Sequence, residues 1–143
     1  MSICSALTVS PANCRWLLRG GSLLPIVQGG MGVGISAHRL AGNVARLGAM
    51  GTISSVDLRH HHPDLLERAQ NCHDKNELDR INLIALDREI GIALDIAGGS
   101  GAVAVNVMKA VAAHASYVLQ SCESGAHAIV MGAGAARSAR HDA

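Results

Sequence analysis

Glycine divides this chain into short apolar runs and longer mixed segments, and that division constrains the fold more than any other feature. Gly29, Gly30, Gly32 and Gly34 follow one run, Gly48 precedes a second, Gly98 and Gly99 precede a third, and Gly125 precedes a fourth. Short runs fenced by glycine suit strands covered on both faces, while the segments between them carry helical spacing. Leu23 to Gln28, with Pro25 near its start, reads as a buried strand opening into a glycine loop. Ser36 reads as the N-cap of a helix on which Leu40, Val44 and Leu47 share a face and which Gly48 stops. Ala49 to Ser54 reads as a second strand, with β-branched Thr52 and Ile53 inside it.

Val56 to Asn76 is a polar excursion that holds His60, His61, His62 and Pro63, with helical character from Asp64 to Gln70. Leu78, Ile81, Ile84, Ala85, Ile92 and Ile96 mark a long amphipathic helix over Glu77 to Ala97. Ala102 to Val107 is a third strand interrupted only by Asn106. A helix over Lys109 to Ser124 and a fourth strand over Ala126 to Met131 follow. Alternation of this kind predicts an α/β fold with a parallel sheet and right-handed crossovers.

The composition agrees with layers built on close backbone approach. Phe is absent, Trp16 and Tyr117 are the only aromatics, and the chain has 16 glycines. Lys and Arg number 12 against 11 Asp and Glu without a continuous basic stripe, which argues against nucleic acid as a partner. Cys4, Cys14, Cys72 and Cys122 are scattered, without metal or redox spacing, as suits reduced thiols in a cytoplasm. Residues 1–20 lack the pattern of a signal peptide, and no apolar run approaches the roughly 18 residues that span a bilayer. A soluble, cytoplasmic protein with no membrane partner is therefore expected.

The strongest chemical feature is the loop Gln28-Gly29-Gly30-Met31-Gly32-Val33-Gly34 between a strand and a helix. Glycines there let backbone N–H groups approach a ligand, and a following helix N-terminus favours negative charge. A tight turn without a ligand explains the spacing equally well. Gly32 to Ala37 also fits G-x-G-x-x-A, the dinucleotide fingerprint, with Asp57 beyond the next strand as a ribose-binding acid. Against that, the glycines begin at Gly29, too early for the fingerprint to form the first turn.

Pro25-Ile26-Val27-Gln28-Gly29-Gly30-Met31-Gly32 resembles the first-strand motif of the nitronate monooxygenase (2-nitropropane dioxygenase-like) family. The likeness continues through Ser36 to Ala41, Gly48 to Ser55 and Ala104 to Met108. Flavin-type enoyl reductases share the opening motif. The resemblance implies a partial (β/α)8 TIM barrel, about the first four parallel strands with their helices, over residues 23–134. Residues 1–22 read as a poorly matched lead, and a disordered tail is expected over 135–143. It implies FMN as cofactor, with Gln28, Gly29, Gly30, Met31 and Gly32 along the flavin and Asn106 hydrogen-bonded to it. It also implies oxidation of a nitronate-like small molecule to a carbonyl compound and nitrite. The residues themselves agree on Asn106, because an amide inside an apolar run must find partners. A helix cap or a loop tie would satisfy it too, and Gln28 suits a structural hydrogen bond as well as a flavin contact.

A full barrel takes about 250 residues, and its phosphate-gripping loops follow the last strands. This chain reads as a truncated portion whose own activity is in doubt. None of its eight histidines matches the family's catalytic base, so no catalytic residue is assigned and enzyme status stays open. A nucleotide- or dinucleotide-binding module is the alternative, as is a non-catalytic fragment that self-associates through open sheet edges. The three adjacent histidines point in different directions, which argues against a metal. His38, His114 and His127 read as surface or partly buried residues, Lys109 as a solvated helix start and Cys122 as a packed thiol.

Overall fold

In the computed structural model, residues 15–18 and 21–132 are described. The predicted lead up to Cys14 and the predicted tail lie outside them. Two three-residue strands, β1 (Trp16–Leu18) and β2 (Gly21–Leu23), form an antiparallel hairpin that the sequence reading did not anticipate. Helix α1 (His38–Arg46) leads to β3 (Met50–Ser54), and a short 3-10 turn (Leu58–His61) leads to α2 (Pro63–Gln70). Then come α3 (Lys75–Ala97), β4 (Ala102–Met108), α4 (His114–Glu123) and β5 (Ala128–Gly132).

Strands β3, β4 and β5 form a parallel sheet in that order, with Ser54 opposite Asn106 and Asn106 opposite Val130. The predicted first strand is present in reduced form. Its residues run parallel to β3 through Leu24 N–H to the Gly48 carbonyl, Met50 N–H to Ile26 and Gln28 N–H to Met50, at 2.8, 3.0 and 2.9 Å. Only Val27 forms a bridge there, and Ile26 is 56% exposed, so the strand is a solvent-facing edge and not a buried run. Pro25 lacks an N–H to add to the ladder, as is usual for edge strands.

Alternation along the strands gives the sheet two different faces. Ile53, Val103, Val105 and Val107 point to the helices and join Leu86, Ile90 and Tyr117 in the main core. On the other face Leu23, Met50, Ala102 and Ala104 form a second, smaller cluster with Leu18, so the hairpin covers the N-terminal end of that face. Toward the C-terminal end the same face ends in Asn106 and the exposed Met108 and Val130.

The helices turn different sides inward from those the large apolar residues suggest. In α1 the buried residues are Ala41, Gly42 and Ala45, while Leu47 is 74% exposed. A Cβ on Gly51 would fall within the Ala41 carbonyl, and one on Gly101 within that of Ala45. Helix and sheet therefore meet backbone to backbone, and large side chains are excluded from the contact. Ser36 does not cap this helix: Ala37 stands at the N-cap without a side-chain bond. Helix α3 is capped by the Asp74 carboxylate, which accepts from Asn76 N–H at 3.0 Å, and it ends at Gly98 in the left-handed conformation. Its inward face carries Ile81, Ala85, Glu89 and Ala93, whereas Ile84 and Ile92 are exposed. No helix among the described residues is long and apolar enough to cross a membrane.

Candidate functional site

Gly30 lies directly over Asn106: a Cβ there would come 2.6 Å from the Asn106 Cβ and 2.8 Å from its Nδ2. Gly32 lies over Ser54, 3.3 Å from its Oγ by the same measure, and a Cβ on Gly132 of β5 would come 3.4 Å from Asn106 Oδ1. The glycine loop thus arches over the C-terminal ends of β3 and β4, and Asn106 sits beneath it between two glycines. Asn106 Oδ1 is buried and has no hydrogen-bond partner, and neither has Thr52 Oγ1, one step down the same face of β3. Leaving a buried polar atom unmatched costs about 1–3 kcal/mol, so these two, on the face that carries the glycine loop, are candidates for a partner that the described residues do not supply.

The loop is held by Gln28 and Ser36. Gln28 Oε1 accepts from Thr52 N–H at 2.9 Å, and its Nε2 donates to Ser36 Oγ at 2.9 Å and to the Gly29 carbonyl. Ser36 Oγ also accepts from Met31 N–H at 2.9 Å and donates to the Gly29 carbonyl at 3.3 Å. The Ser36 hydroxyl is thereby used inside the loop, which is why it is unavailable as a helix cap. Both polar ends of the Gln28 side chain are engaged with the protein, which favours its structural role. Gly29 has nothing within 4 Å of where a side chain would begin, and Met31 is exposed beside it.

Asp57 belongs elsewhere. It is the single described non-glycine residue with positive φ, 52°, and its carboxylate pairs with Arg59. With Asp79, Asn82, Val107 and Tyr117 it lines a small cavity of about 110 Å³ on the helix-covered side of the sheet. The fingerprint glycines and this acid are therefore not gathered at one site. Burial, reinforced by the negative charge of Asp79, pushes the Tyr117 hydroxyl up to about 12, and a hydrogen bond from Asn82 opposes this. On the surface, the Arg88 guanidinium holds the Asp64 carboxyl below its ordinary range.

The histidines divide by position. His127 Nδ1 accepts from Val103 N–H at 3.0 Å, and His114 Nδ1 lies 3.0 Å from the Val111 carbonyl, so both serve local structure. His38 and His62 approach opposite oxygens of the fully buried Glu89 carboxylate. Among the described residues no group of three or more histidine, cysteine or acidic side chains is placed to hold a metal ion. Cys122 is exposed, contrary to its reading as a packed thiol, and Cys72 is half-buried. Lys109 lies in the turn after β4, and its N–H donates to the Gly132 carbonyl at 2.8 Å.

Thr52, Ser54 and Glu89 were not singled out from the sequence. Thr52 and Ser54 share the face of Asn106 by strand alternation, which was the available signal. Glu89 keeps the four-residue spacing of Ile81, Ala85 and Ala93, so a carboxylate in a buried stripe was likewise legible. No protein-family model matches the chain, and no curated protein matches it.

Proposed function

We propose that the C-terminal end of the sheet, beside the glycine loop, binds FMN, and that the chain is the N-terminal part of a flavin-binding (β/α)8 barrel of the nitronate monooxygenase type. The observation that carries this is the pair of buried, unpartnered atoms, Asn106 Oδ1 and Thr52 Oγ1, under a glycine loop. A flavin ring offers N–H and C=O groups along one edge of an apolar plane. Such an edge suits an amide oxygen and a hydroxyl set beside Met108 and Val130. Gly29, Gly30, Met31 and Gly32 would present backbone to the ring, with Gln28 shaping the loop from behind.

When bound, the flavin supplies the electron transfer by which an alkyl nitronate and oxygen yield a carbonyl compound and nitrite. The residues of this chain bind and orient it, and Met31, Met108 and Val130 exclude water from its surface. Proton transfer is assigned to no residue here. A cytoplasmic setting accords with the unpaired, separated Cys72 and Cys122. The test is titration of FMN into the full chain, followed by flavin fluorescence and melting temperature. Quenching with a raised Tm is expected, weakened roughly ten-fold in Asn106→Ala because a hydrogen bond to the ring is lost. Absence of both signals in the native chain overturns the proposal, and NAD-dependent stabilisation abolished by Asp57→Ala supports a dinucleotide module instead.

A second reading rests on the outer strands. Ile26 and Val27 on one edge and Val130 and Met131 on the other are exposed large apolar residues. Parallel edges of this kind pair with further strands, including those of a second copy. Concentration-dependent dimerisation in sedimentation, reduced by Val27→Lys or Met131→Lys, is the expected sign of self-association. A chain that stays monomeric up to high concentration removes it.

A further inference from the structure

We propose that Glu89 is a positioning residue for the glycine loop, acting from the helix side of the sheet through His38 and His62. This rests on the loop being a ligand-binding element, as set out above. Glu89 lies in the buried stripe of α3 with no exposure at all. A carboxylate in that position is costly unless it is paired and hydrogen-bonded, and replacing such a group by an apolar one is often neutral or stabilising. Its presence therefore points to a task other than holding the core together.

The partners of Glu89 show what the task is. Oε2 accepts from the His38 backbone N–H at 2.7 Å and lies 2.9 Å from His38 Nδ1. The carboxylate thus supplies, from across the fold, the cap that Ala37 cannot give α1, and negative charge at a helix start is favourable. Oε1 lies 3.1 Å from His62 Nε2, yet the two are not aligned, and each remains without a hydrogen-bond partner. One half of the clasp is a hydrogen bond and the other a close approach.

Both arms lead to the loop. Two residues before His38, Ser36 holds Met31 and Gln28 through its hydroxyl, and its carbonyl accepts from Ser54 N–H at 2.9 Å. One residue before His62, His61 packs on Gly34, 3.2 Å from the place of a Cβ, with its Nε2 buried and unpartnered. Glu89 therefore anchors the C-terminal end of the glycine loop, at Gly34 and Ser36, without touching the site.

The test compares Glu89→Leu with Glu89→Gln in the full chain by amide hydrogen exchange, first without ligand and then with FMN. In Glu89→Leu, exchange is expected to rise at residues 29–36 and 58–62 and to stay at the native level in β4. Melting temperature should be kept, and FMN affinity should fall roughly ten-fold, the scale of a lost bond to a charged group. Glu89→Gln keeps an acceptor for the His38 N–H and should restore most of both. A rise spread evenly over β4 and the loop, or no rise at the loop, overturns the proposal. If Glu89→Leu does not fold, His38→Leu, which removes the 2.9 Å contact of Nδ1 with the carboxylate, carries the same expectation for residues 29–36. The ligand-free exchange decides on the clasp even where FMN fails to bind, so failure of the flavin proposal and failure of this one are distinguishable.

Discussion

The two faces of the central sheet are built on opposite terms. On the helix-covered face, β3 and β4 present Ile53, Val103, Val105 and Val107 to a continuous core, and at Gly51 and Gly101 the backbone of α1 rests on the strands themselves. On the other face, Thr52 and Asn106 keep buried polar atoms without partners, and Met108 and Val130 face solvent. The difference teaches how a parallel sheet divides its work: the strand side chains of one face are spent on a continuous apolar core, while those of the other include polar groups and exposed apolar ones that no core absorbs.

Substitutions can break or sharpen that contrast. The largest effect is expected for Gly51→Ala, where the added methyl meets the Ala41 carbonyl and neither backbone can yield; a loss of about 3 kcal/mol or more should appear as a lowered urea midpoint. Ile53→Ala removes a fully buried side chain from the same face and should cost about 3 kcal/mol, while Val130→Ala on the open face should stay within about 0.5 kcal/mol. Equal losses for the last two would show that the faces are not energetically distinct. Asn106→Ala should change stability by less than about 1 kcal/mol, since it deletes an unmatched oxygen, while weakening the proposed FMN binding.

The smallest effect at neutral pH belongs to Tyr117. Its hydroxyl is raised from 10.0 to about 12 in the folded chain, so the native state holds this proton more tightly than the unfolded one. The contribution is complete below pH 10 and is lost as pH rises toward 12. Phenolate absorbance follows it cleanly, because Tyr117 is the one tyrosine of the chain. Tyr117→Phe should lack this alkaline loss, and an unchanged pH profile in that variant would assign the loss to other groups.

The order of strands and helices was legible because each strand is a short apolar run and each connection has helical spacing. Asn106 was legible for the same reason, as the polar exception in such a run. The faces of the helices were not. In α1 the contact is so close that Ala41, Gly42 and Ala45 make it, and Gly42 meets Ile96 of α3 with a would-be Cβ 2.8 Å from the Ile96 Cβ. Periodicity counted on Leu40, Val44 and Leu47 therefore marked the flank of the contact, where Leu40 and Val44 are half-buried and Leu47 is exposed. In α3 the isoleucines at 84 and 92 misled in the same way, although the spacing of Ile81, Ala85 and Ala93 already set Glu89 among buried residues. The hairpin escaped notice because three-residue strands are too short to show alternation.

The first strand carries a consequence of its own. Its ladder with β3 closes at Thr52, whose N–H is met by the side chain of Gln28 and not by backbone. A rung made of backbone is the same in any sequence, but a rung made of side chain can be lengthened, shortened or erased by one codon. The boundary between strand and loop is thus written in a single replaceable residue, and Gln28→Glu, Gln28→Asn and Gln28→Leu would form a graded series for moving it.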